Sequence, residues 1–260
     1  MLPSKNLIPI VVSGVIFTLL ASGRYSYAGA AFIAPVPLLV LLRASSLAVS
    51  LPVAFLVLFV ARLLAWSGDV LPTVSGADFV LAVAQASLLS LLPLLCYRWA
   101  FTFLPRLGAL AFPAAVVVLE ALATSLGMPF ATPWALWMGQ AGNGALMAMA
   151  DILSSSGVSF CVAWAAAVMA GFGEAHIAPD VWPQDVRERG VRFSANLCFF
   201  VLVVGLLGGG LLRGREGVLV GSHGDSVVVA CAVLLLALLT AALVVGRRLA
   251  AQPTPSAAPG

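Results

Sequence analysis

The stretch Leu47–Trp66, LAVSLPVAFLVLFVARLLAW, decides the fold class of this chain. It contains one charge, Arg62, and it has the length of about 20 residues that an α-helix needs to cross roughly 30 Å of hydrocarbon. Seven further apolar stretches of similar character occur along the chain. The eight predicted spans are Leu7–Ser22, Ala28–Leu42, Leu47–Trp66, Phe79–Trp99, Gly108–Leu126, Ile152–Phe172, Phe193–Leu212 and Val227–Val245.

The composition of the whole chain agrees with this pattern. Of its 260 residues, 62% are hydrophobic and 9% are charged, and the mean hydropathy is +1.10. A typical soluble domain is roughly one quarter charged, so a soluble enzyme and a disordered chain are both excluded. The basic residues form no cluster dense enough to bind nucleic acid. Alternating apolar and polar segments do not recur, so the sequence predicts an all-α, polytopic membrane bundle over residues 1–249.

The basic residues predict the orientation of this bundle. Nine of the 13 fall on one side of the predicted spans and four on the other, which by the positive-inside rule places both termini in the cytoplasm. The uncharged, proline-rich segment 250–260 is expected to be a disordered cytoplasmic tail. For the first span there is an alternative, because Lys5, the apolar Leu7–Leu20 and the small residues near Ser26–Ala28 also fit a cleavable signal peptide.

The reactive side chains do not form a recognisable catalytic or metal-binding pattern. The four cysteines lie one each in four different spans, and the two histidines lie in loops on opposite sides of the membrane. Neither the spacing of a zinc site nor a Ser-His-Asp arrangement is present in the sequence. We therefore predict no catalytic residue, no metal site and no cofactor.

Apart from Arg98, at the cytoplasmic end of the fourth span, two charged residues fall inside predicted spans, where an ionisable group is costly. Arg62, in the third span, and Glu120, in the fifth, are expected at similar depth near the outer ends of their helices. An intramembrane ion pair between them is one interpretation. In the other, Arg62 extends to the outer surface and Glu120 is held by hydroxyl groups or water.

The longest uncharged connection, Gly127–Gly144, reads GMPFATPWALWMGQAGNG and is here called the outer loop. Its prolines and aromatic residues suit a segment that lies in the outer membrane interface or dips into the bilayer. It is interpreted either as an aromatic anchor or as the wall of a lipid-facing cavity. The candidate cavity residues are Glu120, Pro133, Trp134, Trp137 and Gln140.

Several short motifs occur in a fixed order along the chain. They are Ala34-Pro35-Val36-Pro37-Leu38-Leu39, Glu120, Pro133-Trp134, Met138-Gly139-Gln140 and Gly157-Val158-Ser159-Phe160. In this order they resemble the membrane portion of apolipoprotein N-acyltransferases. The resemblance implies a multi-pass protein of the bacterial inner membrane that binds lipid or lipoprotein acyl chains.

The chain departs from that family in two respects. Its members carry a nitrilase-like domain with a Glu-Lys-Cys triad between the seventh and eighth spans, whereas only Arg213–Ser226 lies there in this sequence. The single lysine is Lys5, on the opposite side of the membrane, and every cysteine is within a span. The family's arginine three residues after the glutamate is Ala123 here. The family's chemistry is therefore not expected.

Three functions remain open. The first is a non-catalytic membrane protein that binds acyl chains near the outer leaflet, alone or with a lipoprotein or a separately encoded enzyme. The second is a small transporter gated around Arg62 and Glu120. The third is a structural subunit of a membrane complex that makes contact through Gly205 and Gly209, whose spacing permits close helix packing. The sequence does not determine the oligomeric state.

Overall fold

A computed structural model describes residues 4–67, 74, 76–103, 108–140, 144–177, 194–203, 229, 231–234 and 236. The regular structure of these residues is helical, and they contain no strand, so the predicted all-α class is confirmed for this part of the chain. The helices are α1 Ser4–Ala21, α2 Ala28–Ile33, α3 Pro35–Ala44, α4 Leu47–Trp66, α5 Gly76–Leu89, α6 Leu91–Phe103, α7 Gly108–Ser125, α8 Ala131–Trp134, α9 Gly144–Ile177 and α10 Ser194–Val203.

Helices long and apolar enough to cross a membrane account for four of the predicted spans. They are Leu47–Trp66, Gly76–Thr102, Gly108–Ser125 and Leu153–Gly173. The apolar helices at Leu7–Ala21, Gly29–Ala44 and Ser194–Val203 are shorter. The total of eight spans and their orientation remain predictions. Residues 204–212, most of Val227–Val245, the two glycines of the proposed contact face and segment 250–260 lie outside the described residues.

Large apolar side chains cover the outside of the helices. Leu56 and Leu64 on α4, Leu88 on α5, Trp99 on α6 and Leu122 on α7 are all exposed, Leu88 and Trp99 to 59%. A water-soluble monomer rarely exposes so continuous an apolar surface, whereas hydrocarbon solvates it at no cost. The surface therefore agrees with helices that face lipid.

The core forms where α7 packs between α6 and α9, and where α3 packs against α9. Tyr97 of α6 and Phe112 of α7 meet edge to face in this core, with ring centroids 6.4 Å apart. On α9 the facing side chains are small, since Ala163, Ala167 and Ala170 are all fully buried. Small side chains let helix backbones approach closely, which is how helices associate in lipid. On the other side of the bundle, α1 packs against α3 and α4.

The end of α7 directs the outer loop back over the bundle. Gly127 has φ +64°, its N–H donates to the Thr124 carbonyl at 3.0 Å, and the Met128 N–H donates to the Ala123 carbonyl at 3.0 Å. This pair of bonds is a Schellman motif, which needs a left-handed residue after the helix. Phe130 then packs, fully buried, among residues of α4, α5 and α7. The outer loop continues as α8 and as a 3-10 helix, Leu136–Gln140.

Within α9 the regular helix is interrupted at Ser154, whose φ of 65° and ψ of 173° are not helical. The Ser154 hydroxyl accepts a hydrogen bond from the Gly157 N–H at 3.4 Å, as an N-cap residue does. The membrane-length part of α9, Leu153–Gly173, starts at this interruption.

Candidate functional site

A partly open cavity of about 100 Å³ lies among α1, α3, α4, α6, α7 and the outer loop. Leu58, Leu94, Phe112 and Val116 give it mainly apolar walls. Four successive residues of the outer loop, Pro133 to Leu136, close one side. The position follows from the fold, because the Schellman motif at the end of α7 turns the outer loop toward the ends of α4 and α5.

Arg62 lies in the cavity wall on α4 and is 8% exposed. Its guanidinium donates to the Ser90 hydroxyl at 2.8 Å and to the Ser87 hydroxyl at 3.5 Å. The guanidinium carbon also lies 5.5 Å from the centre of the Trp66 ring, one helical turn further along α4. All of these partners are electrically neutral, so they orient the cation without balancing its charge.

Trp134 connects the outer loop to the same serine. Its indole N–H donates to the Ser90 hydroxyl at 2.7 Å, and its ring packs edge to face on Phe130 at 6.0 Å. Ser90 lies at the short break between α5 and α6 and donates its own proton to the Ala86 carbonyl at 2.8 Å. One hydroxyl group thus joins Arg62 to the outer loop.

Glu120 lies in the wall on α7 and holds the outer loop from the other side. Its carboxylate accepts the Leu136 N–H at 2.8 Å, and the Ser159 hydroxyl of α9 lies beside it. The Ser159 oxygen in turn accepts the Trp137 N–H at 3.1 Å. Two successive backbone N–H groups of the outer loop are therefore bonded to side chains on α7 and α9, which is how a buried irregular backbone is stabilised in a membrane.

The structure places both intramembrane charges on one cavity, as the sequence suggested from their depth. They do not form a direct ion pair. Arg62 bonds to the Ser90 hydroxyl, and Glu120 bonds to the Leu136 N–H. The two charges therefore line one cavity without the direct contact that the ion-pair interpretation requires, and their depth in the membrane stays a prediction.

The remaining candidate residues divide into two groups. Pro133 and Trp134 line the cavity with Glu120. Trp137 instead packs in a cluster with Ala31, Leu146 and Met149, and Gln140 is fully buried beyond the cavity wall. The structure thus brings together three of the five predicted cavity residues.

Four polar residues of the site, Thr18, Ser22, Trp66 and Ser90, were not among the sequence candidates. Ser87 and Ser90, three residues apart in an apolar span, fall on one helix face and were the available signal for a polar contact. The other three gave no such signal. Tryptophan is common near the ends of membrane helices, and serine or threonine in a helix usually bonds to its own backbone, as Ser22 does with the Thr18 carbonyl.

Comparison of the chain with protein-family models, with curated proteins and with solved structures found no match. The geometry of the cavity therefore carries the functional argument.

Proposed function

We propose that this protein is a non-catalytic, multi-pass protein of the bacterial inner membrane that holds a lipid or lipoprotein acyl chain in the cavity beneath the outer loop. The observation that carries the proposal is the mainly apolar cavity that Trp134 and its neighbours close. In the predicted topology of eight spans with both ends in the cytoplasm, the cavity lies near the outer leaflet. The resemblance to the membrane portion of apolipoprotein N-acyltransferases supports the same function.

The outer loop is anchored as a cavity wall should be. Ser90 fixes Trp134, and Glu120 fixes Leu136, so one stretch of the outer loop is bonded to α5–α6 and to α7. An aromatic anchor that only marked the membrane interface would need neither bond. A preformed wall lowers the entropy that binding must overcome.

The test is native mass spectrometry of the full chain released from mild detergent. We expect lipid to remain bound to the wild-type protein and its occupancy to fall several-fold in Trp134→Ala, because the substitution opens the wall. Trp99→Ala is the matched control, since Trp99 is 59% exposed on the outer face of α6. Equal lipid occupancy in Trp134→Ala and Trp99→Ala, or no retained lipid in any form, would contradict the proposal.

One observation favours a second candidate, a small transporter. Arg62 and Glu120 share the cavity without pairing, which leaves opposite charges on two walls of one membrane cavity. Solute uptake by proteoliposomes that Arg62→Gln and Glu120→Gln both abolish, with no retained lipid, would establish this function instead.

A further inference from the structure

Three residues of the cavity lining, on α1 and α4, carry hydrogen-bond donors. Their donor groups are the Arg62 guanidinium, the Trp66 indole N–H and the Thr18 hydroxyl. Arg62 and Trp66 lie four residues apart and so share a face of α4, and α1, which carries Thr18, packs against α4. Thr18 is 6% exposed and Trp66 is fully buried.

Two of these donor groups lack a hydrogen-bond partner among the described residues. They are the Thr18 hydroxyl and the Trp66 indole N–H. A buried polar group without a partner costs roughly 1–3 kcal/mol and needs a physical reason, and binding of a ligand supplies one for a residue of a cavity wall. Both groups can donate, which points to an acceptor on the ligand.

The charge of Arg62 indicates the same chemistry. Guanidinium remains charged in proteins, and within membranes such a cation normally has an anionic partner. In the described part of the chain its bonds go to the Ser87 and Ser90 hydroxyls, while the carboxylate of Glu120 is bonded to the outer loop. The α1–α4 side of the cavity wall therefore holds a fixed cation and two buried donors that have no partner among the described residues.

We propose that Arg62, Thr18 and Trp66 bind an oxyanion, a carboxylate or a phosphate, of the ligand that occupies the cavity. The proposal deepens the lipid-binding function and rests on it. An acyl chain gains little hydrophobic free energy by leaving the bilayer for an apolar cavity, because lipid is as apolar as the cavity wall. The polar end of the ligand must then provide selectivity, and the donors that could bind it lie on the α1–α4 side of the cavity.

Equilibrium binding of oleate and of oleyl alcohol to the full chain in an uncharged detergent tests this proposal. The two probes share one chain and differ in the anion. We expect the wild-type protein to bind oleate about tenfold or more tightly than the alcohol, as a charge-assisted bond implies. Arg62→Gln should remove this preference, whereas Arg24→Gln, at an exposed arginine, should retain it. A preference that survives in Arg62→Gln would overturn the proposal.

Thr18→Val provides a variant that should fold normally. The Thr18 hydroxyl oxygen has no described partner, so the isosteric change should leave thermal stability equal or higher. We expect oleate affinity to fall about fivefold, the effect of losing one hydrogen bond. Unchanged oleate affinity in this variant would remove Thr18 from the site.

Inorganic phosphate distinguishes a lipid-borne oxyanion from a free one. If millimolar phosphate displaces oleate, the site accepts a free oxyanion; if it does not, the oxyanion must be carried on a lipid. If neither oleate nor oleyl alcohol binds, the proposed lipid-binding function is wrong, but the oxyanion site can still be tested separately. If phosphate then stabilises the wild-type protein but not Arg62→Gln, the oxyanion site is still supported. If phosphate stabilises neither form, the oxyanion site is overturned as well.

Discussion

At the scale of single residues, the site depends on side chains that bond to the outer loop. Ser90 accepts hydrogen bonds from both Arg62 and Trp134, at 2.8 and 2.7 Å. Glu120 accepts one from the Leu136 backbone at 2.8 Å. These few contacts hold an irregular segment against apolar helices, where an unbonded backbone group would be costly.

The sequence predicted the charged members of the site and two residues of the outer loop, Pro133 and Trp134, but not the serine that joins them. Arg62 and Glu120 were recognisable because a charge within a membrane span is rare and needs a physical reason. Ser90 was not, because a serine in an apolar helix usually bonds to its own backbone, as Ser90 also does with the Ala86 carbonyl. Its two further bonds depend on α4 and the outer loop, which only the tertiary structure brings to it.

Removing the Glu120 carboxylate should release the outer loop. In Glu120→Ala the Leu136 N–H loses its acceptor, and we expect a loss of about 1–3 kcal/mol in the free energy of unfolding. Glu120→Gln keeps a side-chain oxygen in the same place and should retain most of that stability. Hydrogen–deuterium exchange over residues 131–140 is the specific readout and should accelerate in Glu120→Ala.

The control for Glu120→Ala is Ser125→Ala, at an exposed serine on the same helix. It should leave both stability and exchange over residues 131–140 near the wild-type values. Unchanged exchange at Leu136 in Glu120→Ala would show that the carboxylate does not hold the outer loop.

At the scale of elements, close backbone contacts join the ends of α1 and α4. Gly23, just after α1, has φ +64°, and a methyl group on its Cα would overlap the Ala65 carbonyl near the end of α4. Gly139 of the outer loop makes a similar approach, since a methyl group there would lie 2.9 Å from the Ala21 carbonyl oxygen. The outer loop and these helix ends therefore pack backbone to backbone above the cavity.

We expect Gly23→Ala to be more destabilising than Gly127→Ala. Both glycines have φ +64°, so alanine should suffer the same backbone strain, about 1–2 kcal/mol, at either position. A methyl group at Gly127 meets nothing within 4 Å, whereas one at Gly23 forces α1 and α4 apart, at a further cost of about 1–3 kcal/mol. Thermal unfolding of both variants in one detergent gives the comparison, and equal melting temperatures would contradict the contact between the helix ends.

Helix boundaries were predictable to different degrees for physical reasons. Leu47–Trp66 matches α4 at both ends, because serines flank a continuous apolar run. In the second span, Pro35 begins α3 and separates it from α2, because proline has no N–H to continue the hydrogen bonds of a preceding helix. The break at Ser154 was not predicted, since neither proline nor glycine stands there and a non-glycine residue with positive φ is uncommon.

At the scale of the whole molecule, composition was enough to predict a helical membrane protein. With 9% charged residues, the chain has to cover its helices with apolar side chains, and the structure shows them exposed on α4 to α7. Side-chain composition does not determine which helices pack together, because apolar helices differ little in pattern. The cavity depends on that packing, so its location required the tertiary structure.

The predicted orientation can be tested on two exposed residues near the C-terminal ends of α6 and α7. The predicted topology places these two helix ends on opposite sides of the membrane. In a cysteine-free form of the chain, Ser125→Cys should react with a membrane-impermeant maleimide on whole cells. Thr102→Cys should react only after the cells are permeabilised, because the positive-inside rule places the end of α6 in the cytoplasm. The reverse labelling pattern would invert the topology and place the cavity near the inner leaflet.

The most direct measurement of the central claim is photo-crosslinking with a phospholipid that carries a diazirine on its acyl chain. If the cavity holds an acyl chain, mass spectrometry should locate crosslinks at Leu58, Leu94 and Val116 of its wall, and excess unlabelled phospholipid should suppress them. Crosslinks confined to exposed, lipid-facing residues such as Leu64 and Leu88, with no competition by unlabelled lipid, would contradict the proposal.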